Sequence, residues 1–597
     1  MKNTLIFAAV IGLLAAFFSL LPTPAPSAAI ANKEQVTVIT GAEVFDGHEW
    51  RGKVDVAFKS GVIIDVGEML TEKYNDGQQL DATGQYLIPG LIDAHTHAWD
   101  NALKDAVKYG VTTELDMFTN TAFASTQRAM RNNASDDVQQ ADLFSAGTLI
   151  TAPEGHGTEY GFHIDTIENA GQAQDFVKAR IDEGSDYIKI VYSAHGRHMP
   201  SIDKATLKAL IDAAHRENKL AVVHISDYQS ARDVIDAGAD GLVHGFMDNR
   251  NIDEMAGDMA KNQQFVIPTL SILASMVGVN KTNELVDSFK NVSHLNAEQW
   301  RSQLASLRRA KARPQLFANA QRHVGIMHRA GVMILAGSDA PNPGTAHGIS
   351  LHSELALLVE SGLSTDDALK AATSNVAKAF KLTDRGIIAV NKRADFLLLN
   401  GDPRQLITNT RKIAKVYKNG FHIDYQTNDS ANKKLAGMMF STFDSDLTSA
   451  LKTQWYPTTD EQFGGNSTVK IEANNEGENG YLYIKGDVRR KFNFPWAGAF
   501  VSFSKDNKSP MDLRSLSGVK LSSKGTVGQY KLMLMSTKQA MRPVEIPFNV
   551  SDSWQDQTVS FKAIKPDLLS SVTGMVIVAS TPMNTFELMI DNVEFVE

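Results

Sequence analysis

The sequence predicts an α/β plus all-β protein: a (β/α)8 TIM barrel, a split β-sandwich domain and a C-terminal β jelly-roll-like sandwich. Three observations carry this. Over residues 87–384 short apolar strands alternate with helical patterns, the signature of repeated βα units around a parallel sheet. Short alternating strands flank that stretch at 32–86 and 385–430, a composite sandwich interrupted by the barrel. Beyond a polar linker at 431–439, residues 440–597 are β-rich and punctuated by glycine. A chain of 597 residues is also too long for one core.

Residues 1–31 read as a signal peptide, with Lys2 as a minimal positive region, an apolar run from Leu5 to Leu21, and small residues around Ala29-Ile30-Ala31. The expected location is periplasmic or secreted. An uncleaved membrane anchor is the alternative, and Pro22, Pro24 and Pro26 favour cleavage. The chain contains no cysteine, which removes disulfides and thiolate chemistry together, so an exported protein of this kind relies on its core. A formal net charge of -9 argues against a nucleic-acid partner, and the basic run Arg308 to Arg313 reads as a solvated helix face.

From Gln35 to Leu80 the runs VTVITGAEVFDG and VDVAFKSGVIIDVG alternate between turn residues, and a similar piece returns from Arg385 to Asp424. Between them lies YLIPGLIDAHTH, Tyr86 to His97, an apolar run closed by Pro89-Gly90 and a second run ending in two histidines. Residues i and i+2 of a strand point the same way, which sets the imidazoles of His95 and His97 side by side as a pincer for a divalent metal. Eight barrel strands are predicted: Ile88 to Asp93, Thr112 to Met117, Leu143 to Ile150, Tyr187 to Val191, Leu220 to His224, Gly241 to His244, Phe265 to Ile267 and Val332 to Ala336. The helix from Asp203 to Glu217 carries an apolar stripe, and Ser364 with Asp367 forms a capping box.

A closed barrel works at the C-terminal ends of its strands, so chemically capable residues should fall where strands stop. Lys189 ends DYIKI, His224 ends LAVVH, His244 ends DGLVH and Asp339 follows VMILAGS. With His95 and His97, these six residues share one mouth of the predicted barrel. Each alone reads equally well as a core histidine, a surface lysine or a loop aspartate; six together at one end do not.

The motifs PGLIDAHTH, DYIKI, AVVH, GLVHG, AGSDAPNPG, HGISLHSELALLVESGLSTDDALKAATSNVAKAF and GIIAVNKRADFLLLNGDP resemble the metal-dependent amidohydrolase superfamily, in particular its imidazolonepropionase- and dipeptidase-like branch, over roughly Gly41 to Asp424. The resemblance implies two divalent metal ions. His95, His97 and Asp339 would hold one, His224 and His244 the other, and Lys189, carboxylated by carbon dioxide, would bridge them as a carbamate. Where some relatives have an acidic residue before the second histidine, this chain has Val243. Histidine and carboxylate donors suit zinc, with manganese, iron or nickel as alternatives.

The reaction so implied is hydrolysis of an amide, peptide or cyclic amide C–N bond of a small molecule by a metal-bridging hydroxide, with Asp339 taking its proton and passing it to the leaving nitrogen. The alternatives are a lactonase or phosphotriesterase-type hydrolase, or a non-catalytic binding protein that acts through its C-terminal domain. In the segment PEGHGTEYG, similar to a Gly-His-Gly stretch of the same branch, His156 and Tyr160 are candidates to line the substrate pocket. Tyr192, His195 and His198 beyond Lys189, and His347 after Asp339, lie on the same rim; His215, His323 and His328 sit in helical patterns and read as structural. At the C-terminus Phe443-Asp444, Trp455, Gly464-Gly465-Asn466-Ser467, Asp512-Leu513, Trp554 and Ile590-Asp591 resemble the complex I intermediate-associated protein family, whose fold is galactose-binding-like. Such a domain has a glycan or protein as its candidate partner. Trp455, Trp496 and Trp554 suggest either an aromatic platform or, more simply, core packing.

Overall fold

The structure is a computed structural model that describes residues 35–99, 101–131, 139–160, 164–195, 199–289, 304, 311–423, 437–463, 465–476, 479–490, 495–504, 510–536, 543–581 and 583–596. The segment read as a signal peptide, most of the polar linker, half of the basic run and His198 lie outside these residues. The chain divides into two compact units, residues 1–424 and 425–597.

The first unit begins and ends in β-structure. A four-stranded sheet contains Thr37–Thr40, Asp55–Lys59, Val62–Gly67 and Gln78–Asp81. A six-stranded sheet interleaves the two distant pieces of chain: Tyr86–Pro89 pairs in parallel with Glu43–Phe45 and antiparallel with Phe396–Leu399, which continues to Ile413–Lys418 and Phe421–His422. Ile39, Val56, Phe58, Leu87, Phe396 and Tyr417 form the core of these sheets. Alternation forces that outcome, because each strand has one apolar face to bury.

The expected strand Ile88 to Asp93 is in fact two strands in two sheets. Tyr86–Pro89 belongs to the sandwich, Gly90 makes the turn, and Leu91–Thr96 begins a parallel sheet. Pro89 is tolerated because it stands at its strand's last position, where the missing N–H interrupts little. Leu91–Thr96 lies beside Val111–Asp116 and then Asp142–Ser145, a three-stranded parallel sheet. A second parallel sheet orders Ile188–Val191, Ala221–His224, Gly241–Val243, Phe265–Ile267 and Met333–Ile334. Isolated parallel bridges join Ile150 to Ile190 and Thr96 to Ala340. The third and eighth strands are shorter than the apolar runs suggest. In the third, Gly147 at φ 65 breaks the extended chain soon after Ser145.

Helices separate the strands, as in Lys204–Arg216, whose Leu207, Leu210, Ile211 and Ala214 face inward and whose start is capped by the Asp203 side chain accepting from the Thr206 N–H. Ile92, Leu115, Val222, Val243, Ile267 and Leu335 make the apolar centre. One buried ionic cluster ties this region to the sandwich. The Asp142 carboxylate accepts from Arg385 at 2.6 Å and Lys418 at 3.0 Å and pairs with the Arg393 charge at 2.9 Å, and Lys418 is fully buried.

The second unit is all-β. Thr468–Glu476, Asn479–Asp487, Thr585–Val596, Gly518–Gly525 and Gln555–Ser560 form one antiparallel sheet, with Met439–Ser441 added at Thr585–Val596. Trp455–Thr459, Trp496–Ser502, Val572–Ser580, Gly528–Ser536 and Val544–Val550 form the other. Leu482, Ile484, Leu521, Tyr530, Ile577, Leu588 and Phe595 fill the space between. Trp455 is buried, with its indole N–H on Ser441 Oγ at 3.1 Å, so it is a core residue; Trp496 is half-buried against Phe500 and Met533, and Trp554 packs beside Tyr481.

Candidate metal centre

The chemically capable strand ends converge. Asp339 Oδ1 lies 3.3 Å from His95 Nε2 and 3.1 Å from His97 Nε2, and its Oδ2 lies 3.8 Å from His244 Nδ1. The His95 ring centre is 5.3 Å from that of His97 and 4.8 Å from that of His244, and His244 is 4.6 Å from His224. Donor atoms of His95, His244 and Asp339 all fall within 4.8 Å of one another, a span that one cation can bridge. Lys189 is buried within the strand Ile188–Val191, its register partner Val222 lying two residues before His224, and it stands near enough to act electrostatically on His95, His224 and His244.

Local structure explains the aim of each group. His95 is buried at the end of its strand, and Gly337 lets the neighbouring loop close on it, since a Cβ there would stand 2.8 Å from His95 Cβ and 3.0 Å from its backbone nitrogen. The Asp93 carboxylate ties the first strand to this loop by accepting from the N–H groups of Ser338 at 2.9 Å and His95 at 3.2 Å. His97 directs Nδ1 toward the Phe118 carbonyl at 3.4 Å, which leaves Nε2 for the cavity. His244 Nδ1 meets Thr269 Oγ1 at 2.8 Å. Both Asp339, at φ 57, and His244, at φ 76, hold left-handed backbone that side chains other than glycine rarely adopt, a strain that gathers at functional positions.

The charge states suit a cation. Burial, with Lys189 nearby, pushes His95 down to about 3, and burial with neighbouring imidazoles holds His224 and His244 well below the usual histidine range. Burial alone would raise Asp339, but the surrounding imidazoles, His95 first, outweigh it and hold the carboxyl well below its ordinary value. Burial lowers Lys189 to about 7, against the pull of Asp339 and Asp116. His95, His224 and His244 are therefore neutral and Asp339 ionised, the donor forms metals take. Both ring nitrogens of His95 are buried without a hydrogen-bond partner, a costly arrangement that a bound cation would relieve.

The other sequence candidates divide. His156 stacks 5.0 Å from His224, its Nδ1 2.7 Å from Glu159, so it reaches the centre. Tyr160 closes the short helix Thr158–Tyr160, and its side chain is outside the described residues. Tyr192 is buried and its hydroxyl donates to Asp233 at 2.8 Å. His347 is also buried; its Nδ1 meets the Glu114 carboxylate at 2.9 Å and 3.1 Å. His195 is exposed, while His215 pairs with Asp240 and His323 with the Phe246 carbonyl.

Two neighbours escaped the sequence reading. Asp116 accepts from the Ala98 N–H at 2.7 Å and the Ser145 hydroxyl at 2.5 Å, which fixes the loop carrying His97. It ends a strand, so the same strand-end rule would have found it. Thr269, which holds His244, carries no comparable signal.

A buried cluster of imidazoles and a carboxylate at the ends of parallel strands is a candidate metal site of the kind hydrolases use. The chain belongs to the amidohydrolase family, whose model matches residues 86–421, and the family is metal-dependent and acts on carbon–nitrogen bonds. Residues 441–594 match the complex I intermediate-associated protein 30 family. The imidazolonepropionase of Deinococcus radiodurans is 25% identical over 371 residues, covering 57% of this chain and 84% of that protein. A Xaa-Pro dipeptidase crystallised with methionine in its active site has a similar fold, with a TM-score of 0.51 at 20% identity over 65% of this chain and 99% of that one. Phenylurea hydrolase B is comparable, with a TM-score of 0.52 at 20% identity over 65% and 97% of the two chains.

Proposed function

We propose that the protein is an exported binuclear metal-dependent hydrolase that cleaves an amide, peptide or cyclic amide C–N bond of a small molecule. The observation that carries this reading is the convergence of His95, His97, His244 and Asp339 in one buried cluster, where His95 Nε2 has only the Asp339 carboxylate 3.3 Å away and His95 Nδ1 has no hydrogen bond. The eight parallel strands form a closed (β/α)8 barrel on this reading, supported by the bridges at Ile150–Ile190 and Thr96–Ala340. His95, His97 and Asp339 would hold one zinc ion, and His224 and His244 the other. Two such ions, when bound, supply a water acidic enough to be deprotonated near neutral pH and a Lewis acid for the substrate carbonyl.

The chain's own residues do the rest. An amine lowered to about 7 is substantially neutral at physiological pH, so the Lys189 Nζ lone pair can form a C–N bond with carbon dioxide while one proton leaves to solvent. The resulting carbamate would supply anionic oxygens with which Lys189 could help hold the two ions. Asp339, ionised and inside the cluster, accepts a proton and returns it to the departing nitrogen, help typically worth about 10²- to 10⁴-fold. His156, held by Glu159, stands where it can bond a substrate oxygen. The relatives named for imidazolone, dipeptide and urea substrates support a planar C–N bond as the target. The apolar run near the N-terminus supports a periplasmic or secreted location for the mature chain, and the C-terminal domain would serve a glycan or protein partner.

The test is metal content per chain for the purified protein and for Lys189→Ala. About two metals, falling in the variant, support the reading. No metal in the wild type, with zinc supplied, refutes it.

A further inference from the structure

We propose that Glu354 is a positioning residue for the metal centre, its carboxylate fixing the Thr269 turn that orients the His244 imidazole. This rests on the metal-hydrolase reading above.

Glu354 lies on the helix Ile349–Glu360 and is completely buried, with Leu351, Leu355 and Leu358 of the same helix buried around it. A carboxylate removed from water in this way is costly unless hydrogen-bonded. Both oxygens are engaged: Oε1 accepts from the Leu270 N–H at 2.9 Å and Oε2 from the Ser271 N–H at 2.7 Å. Two successive N–H groups bound to the two oxygens of one rigid carboxylate leave the peptide between them little freedom.

Those groups directly follow Thr269. At φ 47 it is a β-branched residue in left-handed backbone, a conformation that persists only where surroundings impose it. Thr269 precedes the helix Leu270–Met276, the place where a threonine hydroxyl ordinarily bonds the first turn, yet it makes no such bond. Glu354 takes that role from a different helix. Thr269 Oγ1 is thereby available to His244 Nδ1 at 2.8 Å. The backbone around the pair is laced as well, with His244 N–H on the Ile267 carbonyl and Gly245 N–H on the Pro268 carbonyl, both at 2.9 Å. With Nδ1 occupied by Thr269, Nε2 of His244 is the nitrogen left to bind metal. Loss of a partner behind a ligating histidine typically weakens metal binding by about 10- to 100-fold.

The test uses the full chain and zinc itself. Zinc affinity is measured by chelator competition for wild type, Glu354→Gln, Thr269→Val, Thr269→Ser and the Glu354→Gln/Thr269→Val double variant, with circular dichroism confirming the fold of each metal-free protein. Glu354→Gln and Thr269→Val should each lose about 10- to 100-fold. Thr269→Ser, which keeps the hydroxyl, should bind like wild type, and the double variant should be no weaker than its weaker parent. A folded Glu354→Gln with wild-type affinity, or a double variant whose loss is the product of the two single losses, overturns the proposal. A second readout needs no variant: amide exchange at Leu270 and Ser271 should slow at least about tenfold on zinc loading, because coupling between sites is reciprocal. Unchanged exchange in protein shown to hold zinc overturns the proposal while leaving the hydrolase reading intact. Wild-type protein that takes up no zinc overturns both.

Discussion

Replacing Asp142 with asparagine should destabilise the first unit far more than an ordinary polar substitution. The carboxylate is 4% exposed and carries three cations: Arg385 at 2.6 Å, Arg393 at 2.9 Å and Lys418 at 3.0 Å. Asparagine keeps the shape and one acceptor but removes the charge, so three buried cations face only Asp395, 3.5 Å from Lys418, and the half-exposed Asp384. Leaving a buried charge without its partner costs about 3–5 kcal/mol. The assay is amide exchange in the strands Asp142–Ser145 and Ile413–Lys418, which stand on opposite sides of the cluster. At about 1.4 kcal/mol per decade, protection in both strands should fall by about 10²- to 10⁴-fold. Removing both charges with Asp142→Leu and Lys418→Met should be milder than Asp142→Leu alone, since one unpaired cation goes with the anion. A loss below about 1 kcal/mol for Asp142→Asn, or a double variant worse than the sum of its parts, would refute the reasoning.

Two further outcomes follow from named contacts. In Gly337→Ala the new methyl meets Ile267 at 2.5 Å and His95 Cβ at 2.8 Å, so His95 must shift; overpacking of this kind costs about 1–3 kcal/mol, and zinc titration should reveal weakened binding, whereas wild-type affinity would contradict the packing argument. Burial raises Glu354 to about 7 from 4.5, against the pull of the Leu270 and Ser271 N–H groups, so between those pH values the native state holds a proton that the unfolded chain has released. Glu354's contribution to the stability of the metal-free protein should therefore fall as pH rises from about 4.5 to about 7, by up to about 1.4 kcal/mol per pH unit, and then level off, while the buried histidines, held neutral below their ordinary range, contribute in the opposite direction. The stability of wild type relative to Glu354→Gln, from urea midpoints at pH 5, 6 and 7, should therefore decline across that range; a difference that stays constant with pH would sink the assignment.

The candidate site was legible because two rules coincide: apolar runs locate strands, and parallel α/β sheets carry their chemistry where strands stop. His224, His244 and Asp339 each sit at or beyond such a boundary, whereas Lys189 lies within its strand Ile188–Val191, and the structure brings the histidines and Asp339 together. What stayed hidden depends on partners distant in sequence. His347 reads as a rim residue until Glu114 is seen beside it, and Tyr192 until Asp233 takes its hydroxyl. Likewise an apolar run does not say which sheet it joins, so Tyr86–Pro89 and Leu91–Thr96 read as one strand although they serve two sheets. The Glu354 contact with Leu270 spans 84 residues, and nothing in either segment announces it.

The interleaved sandwich sets a timetable for synthesis. Leu87 waits for Leu398, its register partner about 310 residues later, before its strand gains its antiparallel neighbour. At about 5–20 residues per second, that interval is about 15–60 s. During it the Tyr86–Pro89 edge stays open on one side while every predicted metal ligand, from His95 to Asp339, is made. The nascent chain thus completes its chemistry-bearing strands first and receives its clasp last, which makes the growing polypeptide a client for whatever guards exposed sheet edges on the way out of the ribosome.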